Sequence, residues 1–96
     1  MDELRFEWDA AKDRANQKKH GISFEEASSA FSDENGLLLA DSEHSDEEDR
    51  FALLGLSTSL RILVVCHCYR ESDDVIRIIS ARKALKQERD EYKRRL

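Results

Sequence analysis

Apolar and polar positions alternate across Phe6-Glu7-Trp8, which predicts a short half-buried strand. Asp9 then suits a helix N-cap, and good helix formers run from Ala10 to about His20. Gly21 stands where a left-handed residue ends a helix. The apolar face of this first helix is thin, chiefly Ala11 and Ala15, so it should pack shallowly and leave Lys18-Lys19-His20 in water. Ser23 and Glu26 have capping-box spacing, with Ile22 placed to staple against Ala27. They open a second helix over roughly 24–32, with Phe24, Ala27, Ala30 and Phe31 on one stripe, closed by the turn residues Asp33-Glu34-Asn35-Gly36.

No helical period follows until residue 83. Leu37 to Asp41, Phe51 to Ser57, Arg61 to Arg70 and Val75 to about Ala81 read as strands, with turns at Thr58-Ser59 and Ser72-Asp73-Asp74. The short connections favour an antiparallel meander over crossover units. From about Lys83 the pattern turns helical, with Leu85, Tyr92 and Leu96 on one face and Lys86, Glu88, Arg89 and Lys93 on a charged one. Lys93-Arg94-Arg95 complements the dipole at that helix's C-terminus. The predicted architecture is α+β: an N-terminal strand, two helices, an antiparallel sheet of about four further strands and a C-terminal helix, all in one domain over 1–96.

Composition narrows the class. Ninety-six residues leave too little chain for two cores, and 40% hydrophobic against 39% charged is wet for a globular chain. The longest uncharged apolar run, Ile62 to Cys68, falls far short of the roughly 20 residues of a membrane span, so no membrane partner is expected. Met1-Asp2-Glu3 opens acidic with no apolar stretch behind it, unlike a secretory signal. Cys66 and Cys68 sit two apart on a strand, poorly placed to bridge, which points to reduced thiols and a cytoplasmic protein.

The net charge of −5 conceals a polarity. Residues 1–50 carry 15 acids and 6 bases, whereas residues 51–96 carry 6 acids and 10 bases. Ten arginines against six lysines suit phosphate recognition, because the planar guanidinium presents a fork of donors; a solvated mixed-charge surface is the plainer alternative.

Few motifs of chemistry are present. There is no Gly-rich phosphate loop, nucleophile elbow or zinc quartet. Cys66-His67-Cys68 reads as strand, since His67 would face away from both thiols. The acidic run from Asp41, Glu43 and His44 through Asp46 to Asp49 has the donors for Mg²⁺ or Mn²⁺ but nothing to fix them, so a solvated connection is expected, or a helical turn capped by His44-Ser45. Arg77 is flanked by isoleucines inside a strand, where its charge must escape or be paired. Strict alternation puts Arg77 and Arg82 on opposite faces, so they serve one site only if the strand twists or ends between them. A structural ion pair to the acidic loop is the competing role.

Phe6-Glu7-Trp8-Asp9, then Lys12, Asn16, Lys19-His20-Gly21 and Ser23-Phe24-Glu25, then His44-Ser45, Glu48 and Arg50, and finally Arg77-Ile78-Ile79-Ser80-Ala81-Arg82 together resemble the BrnT toxin family, from about residue 6 to Tyr92. The resemblance implies a RelE-like fold and the toxin half of a bacterial type II toxin–antitoxin system, with ribonuclease activity. It further implies a BrnA-like antitoxin partner, RNA as substrate, and operator DNA contacted only through the antitoxin.

On that basis the expected chemistry is metal-independent and cofactor-free endoribonucleolytic cleavage, in which the RNA's own 2′-hydroxyl attacks the adjacent phosphate. Arg50, Arg77 and Arg82 are expected to hold phosphate, with Lys19, His20 or Glu48 handling protons and Arg61, Arg70 and Lys83 positioning the RNA backbone. The alternative is a non-catalytic module that grips an antitoxin and serves in operon autorepression, its arginines structural.

Overall fold

The structure, a computed structural model, describes residues 4–40, 50–70 and 74–96. Strand β1 (Arg5–Glu7) leads into helix α1 (Ala10–His20) and helix α2 (Phe24–Ser29), which tightens into a 3₁₀ turn (Ala30–Ser32). Strands β2 (Leu37–Ala40), β3 (Phe51–Leu56), β4 (Ile62–Arg70) and β5 (Val75–Lys83) follow, and helix α3 (Lys86–Arg94) closes the chain. The sheet order is β1-β5-β4-β3-β2. The last four strands form the expected antiparallel meander, but β1 joins β5 in parallel, which makes the sheet mixed.

Local chemistry sets the element ends. The Asp9 side chain accepts from the Ala11 and Lys12 amides, and Gly21, at φ 72°, terminates α1. Ser23 caps α2 through the Glu26 amide at 3.0 Å. The reciprocal half of the capping box is absent, because the Glu26 carboxylate reaches Ser57 and Arg61. Gly55 lets the 3₁₀ turn sit directly on β3, where a Cβ would meet the Ala30 carbonyl at 3.0 Å.

Each sheet face has its own core. One face packs Leu53, Leu63, Val65, Ile76, Ile78 and Ala81 against Ile22, Phe24, Ala27 and Ala30. The other is smaller and packs Leu54 and Val64 against Ala84 and Tyr92. Two expectations about the helices need correcting. Ala11 and Ala15 are exposed, and the side chain that α1 buries is Asn16, so a polar contact fastens this helix. Leu85 and Leu96 are exposed too, leaving Tyr92 as the buried residue of α3. Glu88 leaves the charged face to pair with Arg82.

Candidate functional site

The arrangement of the strand arginines depends on an irregularity in β5. Ser80 is paired with Cys66 and Ile78 with His67, so Ile79 is an extra residue bulged out of the ladder. A bulge reverses alternation beyond it. Ile76 and Ile78 before it, and Ala81 after it, therefore all face the α1–α2 core. Arg77 and Arg82 consequently share the opposite face, against the strict-alternation reading. Their partners across the ladder are Cys68 and Val64, which puts the two arginines about 13 Å apart at about 3.3 Å per residue.

Arg70, at the end of β4, lies on the same face. The carboxylate of Glu7 stands between it and Arg77, 3.5 Å from the first and 3.4 Å from the second. Sequence reading missed Glu7 in this role; its signal was a lone acid in β1, whose partner strand was unknown. Arg50, half-buried, precedes Phe51 at the start of β3.

Arg82 is bound end-on by Glu88, with Nη1 and Nη2 donating at 2.8 and 3.0 Å to the two carboxylate oxygens. Nη1 also reaches the Lys83 carbonyl at 3.3 Å. Of five guanidinium donors, the Nε and second Nη2 hydrogens have no acceptor among the described residues, and together they form the side-on fork that a phosphate accepts. Glu88 raises the Arg82 pKa further, and Arg82 holds the Glu88 carboxyl below its ordinary value. Glu88 also accepts from the Leu85 amide at 2.7 Å, which ties the pair to the start of α3. Beside Arg82 runs an apolar groove of about 400 Å³ lined by Leu37, Leu39, Leu54, Val64 and Cys66.

Lys19 and His20 meet the arginine strand at the sheet edge. Together with Lys12 and Asn16 from α1, and with Ile79 and Ser80 from the bulge, they line a shallow hollow of about 300 Å³. The Asp9 carboxyl is held low, first by the Lys12 and Ala11 amides and then by the charges of Lys12 and Arg77.

Two further candidates lie elsewhere. Arg61 turns to the α2 side, where Nε donates to Glu26 at 2.9 Å and Nη2 to Glu26 and the Gly21 carbonyl. That pairing holds the Glu26 carboxyl low, with smaller help from Ser57 and Lys83. Lys83, exposed and paired in register with Leu63, thus belongs to the same quarter. Glu48 and the rest of the acidic stretch 41–49 lie outside the described residues.

The Cys66-His67-Cys68 run is the strand that was expected. His67 is fully buried, with Nδ1 2.9 Å from the Val65 carbonyl, Nε2 3.3 Å from the Tyr69 hydroxyl and Phe31 edge-on to its ring. Cys66 and Cys68 form no disulfide and lie on the opposite face.

Fold and site thus define a small α+β protein whose strand arginines share one sheet face, with a basic hollow at its edge. The family model for the ribonuclease toxin BrnT of type II toxin–antitoxin systems matches residues 8–88. The crystal structure of the Brucella abortus ribonuclease toxin BrnT matches the fold with a TM-score of 0.65 at 22% identity, covering 88% of this chain and 100% of that one. No curated protein matches the sequence. The chain belongs to the BrnT family of ribonuclease toxins of type II toxin–antitoxin systems. No helix among the described residues is long and apolar enough to cross a membrane.

Proposed function

We propose that this protein cuts RNA as a metal-independent endoribonuclease and is neutralised by a cognate BrnA-like antitoxin. The observation that carries the reading is the bulge at Ile79, which gathers Arg77 and Arg82 on one face while opening the hollow of Lys19 and His20 beside them. RNA supplies its own nucleophile. The 2′-hydroxyl attacks the adjacent phosphorus, the P–O5′ bond breaks, and the products are a 2′,3′-cyclic phosphate and a 5′-hydroxyl. Such an enzyme must align the groups, accept one proton, donate another and neutralise the phosphorane. Arg82, fixed by Glu88 with one fork open, suits the phosphorane, and Arg77 and Arg70 suit the flanking phosphates. Lys19 and His20 are the proton carriers nearest the bulge, with Glu48 a further carrier and Arg50 a further phosphate ligand by family resemblance. Arg61 and Lys83 serve at most the outlying RNA backbone.

The ion pairs of Arg82 and Arg61 also fit the second reading, an antitoxin-binding module without catalysis. Growth assays separate the two. Expression of the protein alone should arrest a bacterial host, and co-expression of the cognate antitoxin should restore growth and shield Arg77 or Arg82 from an arginine-modifying reagent. Normal growth with intact bulk RNA, despite soluble expression, would remove the toxin reading and leave the module.

A further inference from the structure

Asn16 is the buried side chain of α1, at 7% exposure, and it is polar on every side that matters. Its Nδ2 donates to the Ile22 and Ala81 carbonyls, both at 2.8 Å, while its Oδ1 accepts from the Ala81 amide at 3.1 Å. Ala81 lies on the edge of β5 beyond the reach of β1, whose last pair is Glu7 with Arg77. The amide returns both bonds to one residue, as a paired strand would. A hydrophobic side chain here would attach the helix but leave the Ala81 N–H and C=O unpaired, which a buried backbone does not tolerate cheaply. It would also let α1 slide, because apolar contact has no direction.

The position of this clamp has a functional consequence. Ala81 follows the bulged Ile79 by two residues and precedes Arg82 by one. Lys12 and Lys19 lie four before and three after Asn16, on the same helix face, and both line the hollow that Ile79 and Ser80 complete. We infer that Asn16 is a positioning residue of the nuclease site, locking the basic face of α1 to the arginine strand at its bulge so that the hollow and the arginines act on RNA as one surface. This rests on the ribonuclease reading above.

The test uses Asn16→Ala and Asn16→Asp, with Ser57→Ala as a comparison that loosens the remote β3–β4 turn by removing a 2.7 Å bond to Glu26. Single-turnover cleavage of an RNA that the wild type cuts should slow about 10–100-fold in the folded Asn16 variants, the scale of a small misplacement of reacting groups. Affinity for the 2′-O-methyl form of that RNA should stay within about threefold, since the cations remain. Cleavage within threefold of wild type, or a loss no greater than that of Ser57→Ala at an equal fall in melting midpoint, would overturn the inference. A second measurement needs only the wild type. Titrated with inorganic pyrophosphate, the backbone NMR signals of Lys19, His20, Ser80 and Arg82 should shift along one saturation curve; separate curves for helix and strand would also overturn it. Wild-type protein that shows one curve yet cleaves no RNA would refute the nuclease reading and leave the Asn16 clamp standing.

Discussion

A guanidinium that stabilises a reacting phosphate must be charged, fixed and still have donors to offer. Arg82 meets all three conditions because Glu88 takes its end and leaves its side. Arg61 is also charged and fixed, but Glu26 occupies its side-on fork and the Gly21 carbonyl takes a further Nη2 bond, which leaves only Nη1 to offer. Arg82→Ala should therefore slow RNA cleavage about 10²–10³-fold, the usual effect of removing one transition-state donor. Its effect on stability should stay within about 1 kcal/mol, because more than a third of the Arg82 side chain is exposed and solvent screens the pair. Glu88→Gln should destabilise similarly but, with the guanidinium retained, slow cleavage less than tenfold. Cleavage rates set beside thermal melts of both variants check this, and equal rate losses would show that the ion pair, not the arginine, matters. A different residue governs acid stability. His67 is buried among aromatic rings, and burial lowers its pKa below the ordinary 6.5, against a smaller opposing effect of its bond to the Val65 carbonyl. The unfolded chain then binds the proton more readily, so stability is full above about pH 6.5 and declines as pH falls below it. Urea midpoints should drop between pH 7 and 5.5 in the wild type, and a folded His67→Phe variant should show a flatter profile.

At the scale of elements, the residue that α1 buries is an amide, Asn16, and the residue that α3 buries is a phenol, Tyr92. Tyr92, 4% exposed, donates to Asp33 at 2.6 Å, where amides of Leu56 and Asn35 converge on the same carboxylate. Burial tends to raise the Asp33 pKa, but these three donors outweigh it and hold the carboxyl low. Tyr92 is pushed up to about 12 by burial and by Asp33. Losing a hydrogen bond to a charged acceptor costs about 1.5–3 kcal/mol, so Tyr92→Phe should lower the melting midpoint by at least about 6 °C. Below pH 10 this contribution is complete; it fades as pH rises toward 12, and the variant should lose that alkaline decline. An unchanged midpoint would mean that α3 is held by something else. Helix caps, turns and strand cores were legible because Asp9, Gly21, Ser23 and the Val–Ile–Leu runs act within a few residues of themselves. The parallel seat of β1 and the bulge at Ile79 were not, since both depend on partners about 70 and 12 residues away. Asn16 was hidden for the same reason, as its partner Ala81 is 65 positions distant. Read alone, α1 offered only alanines as a packing face.

Across the whole molecule, an acidic sum of −5 coexists with a face that carries Arg70, Arg77 and Arg82 and a hollow that carries Lys12, Lys19 and His20. The charge split between the halves of the chain made such a face legible in outline, whereas its members could be sorted only once the bulge was known. Local polarity of this kind attracts a polyanion at low salt despite the acidic total, and each released counterion steepens the salt dependence of binding. The central claim is that these cations, with RNA's own 2′-hydroxyl, suffice for cleavage. Incubating the purified protein with RNA in excess EDTA and analysing the product ends tests it most directly. The account predicts cleavage that survives chelation, is weakened by Arg82→Ala, and leaves 2′,3′-cyclic phosphate and 5′-hydroxyl ends. Cleavage that requires a divalent ion, or that leaves 5′-phosphate and 3′-hydroxyl ends, would contradict it, as would no cleavage at all by folded protein.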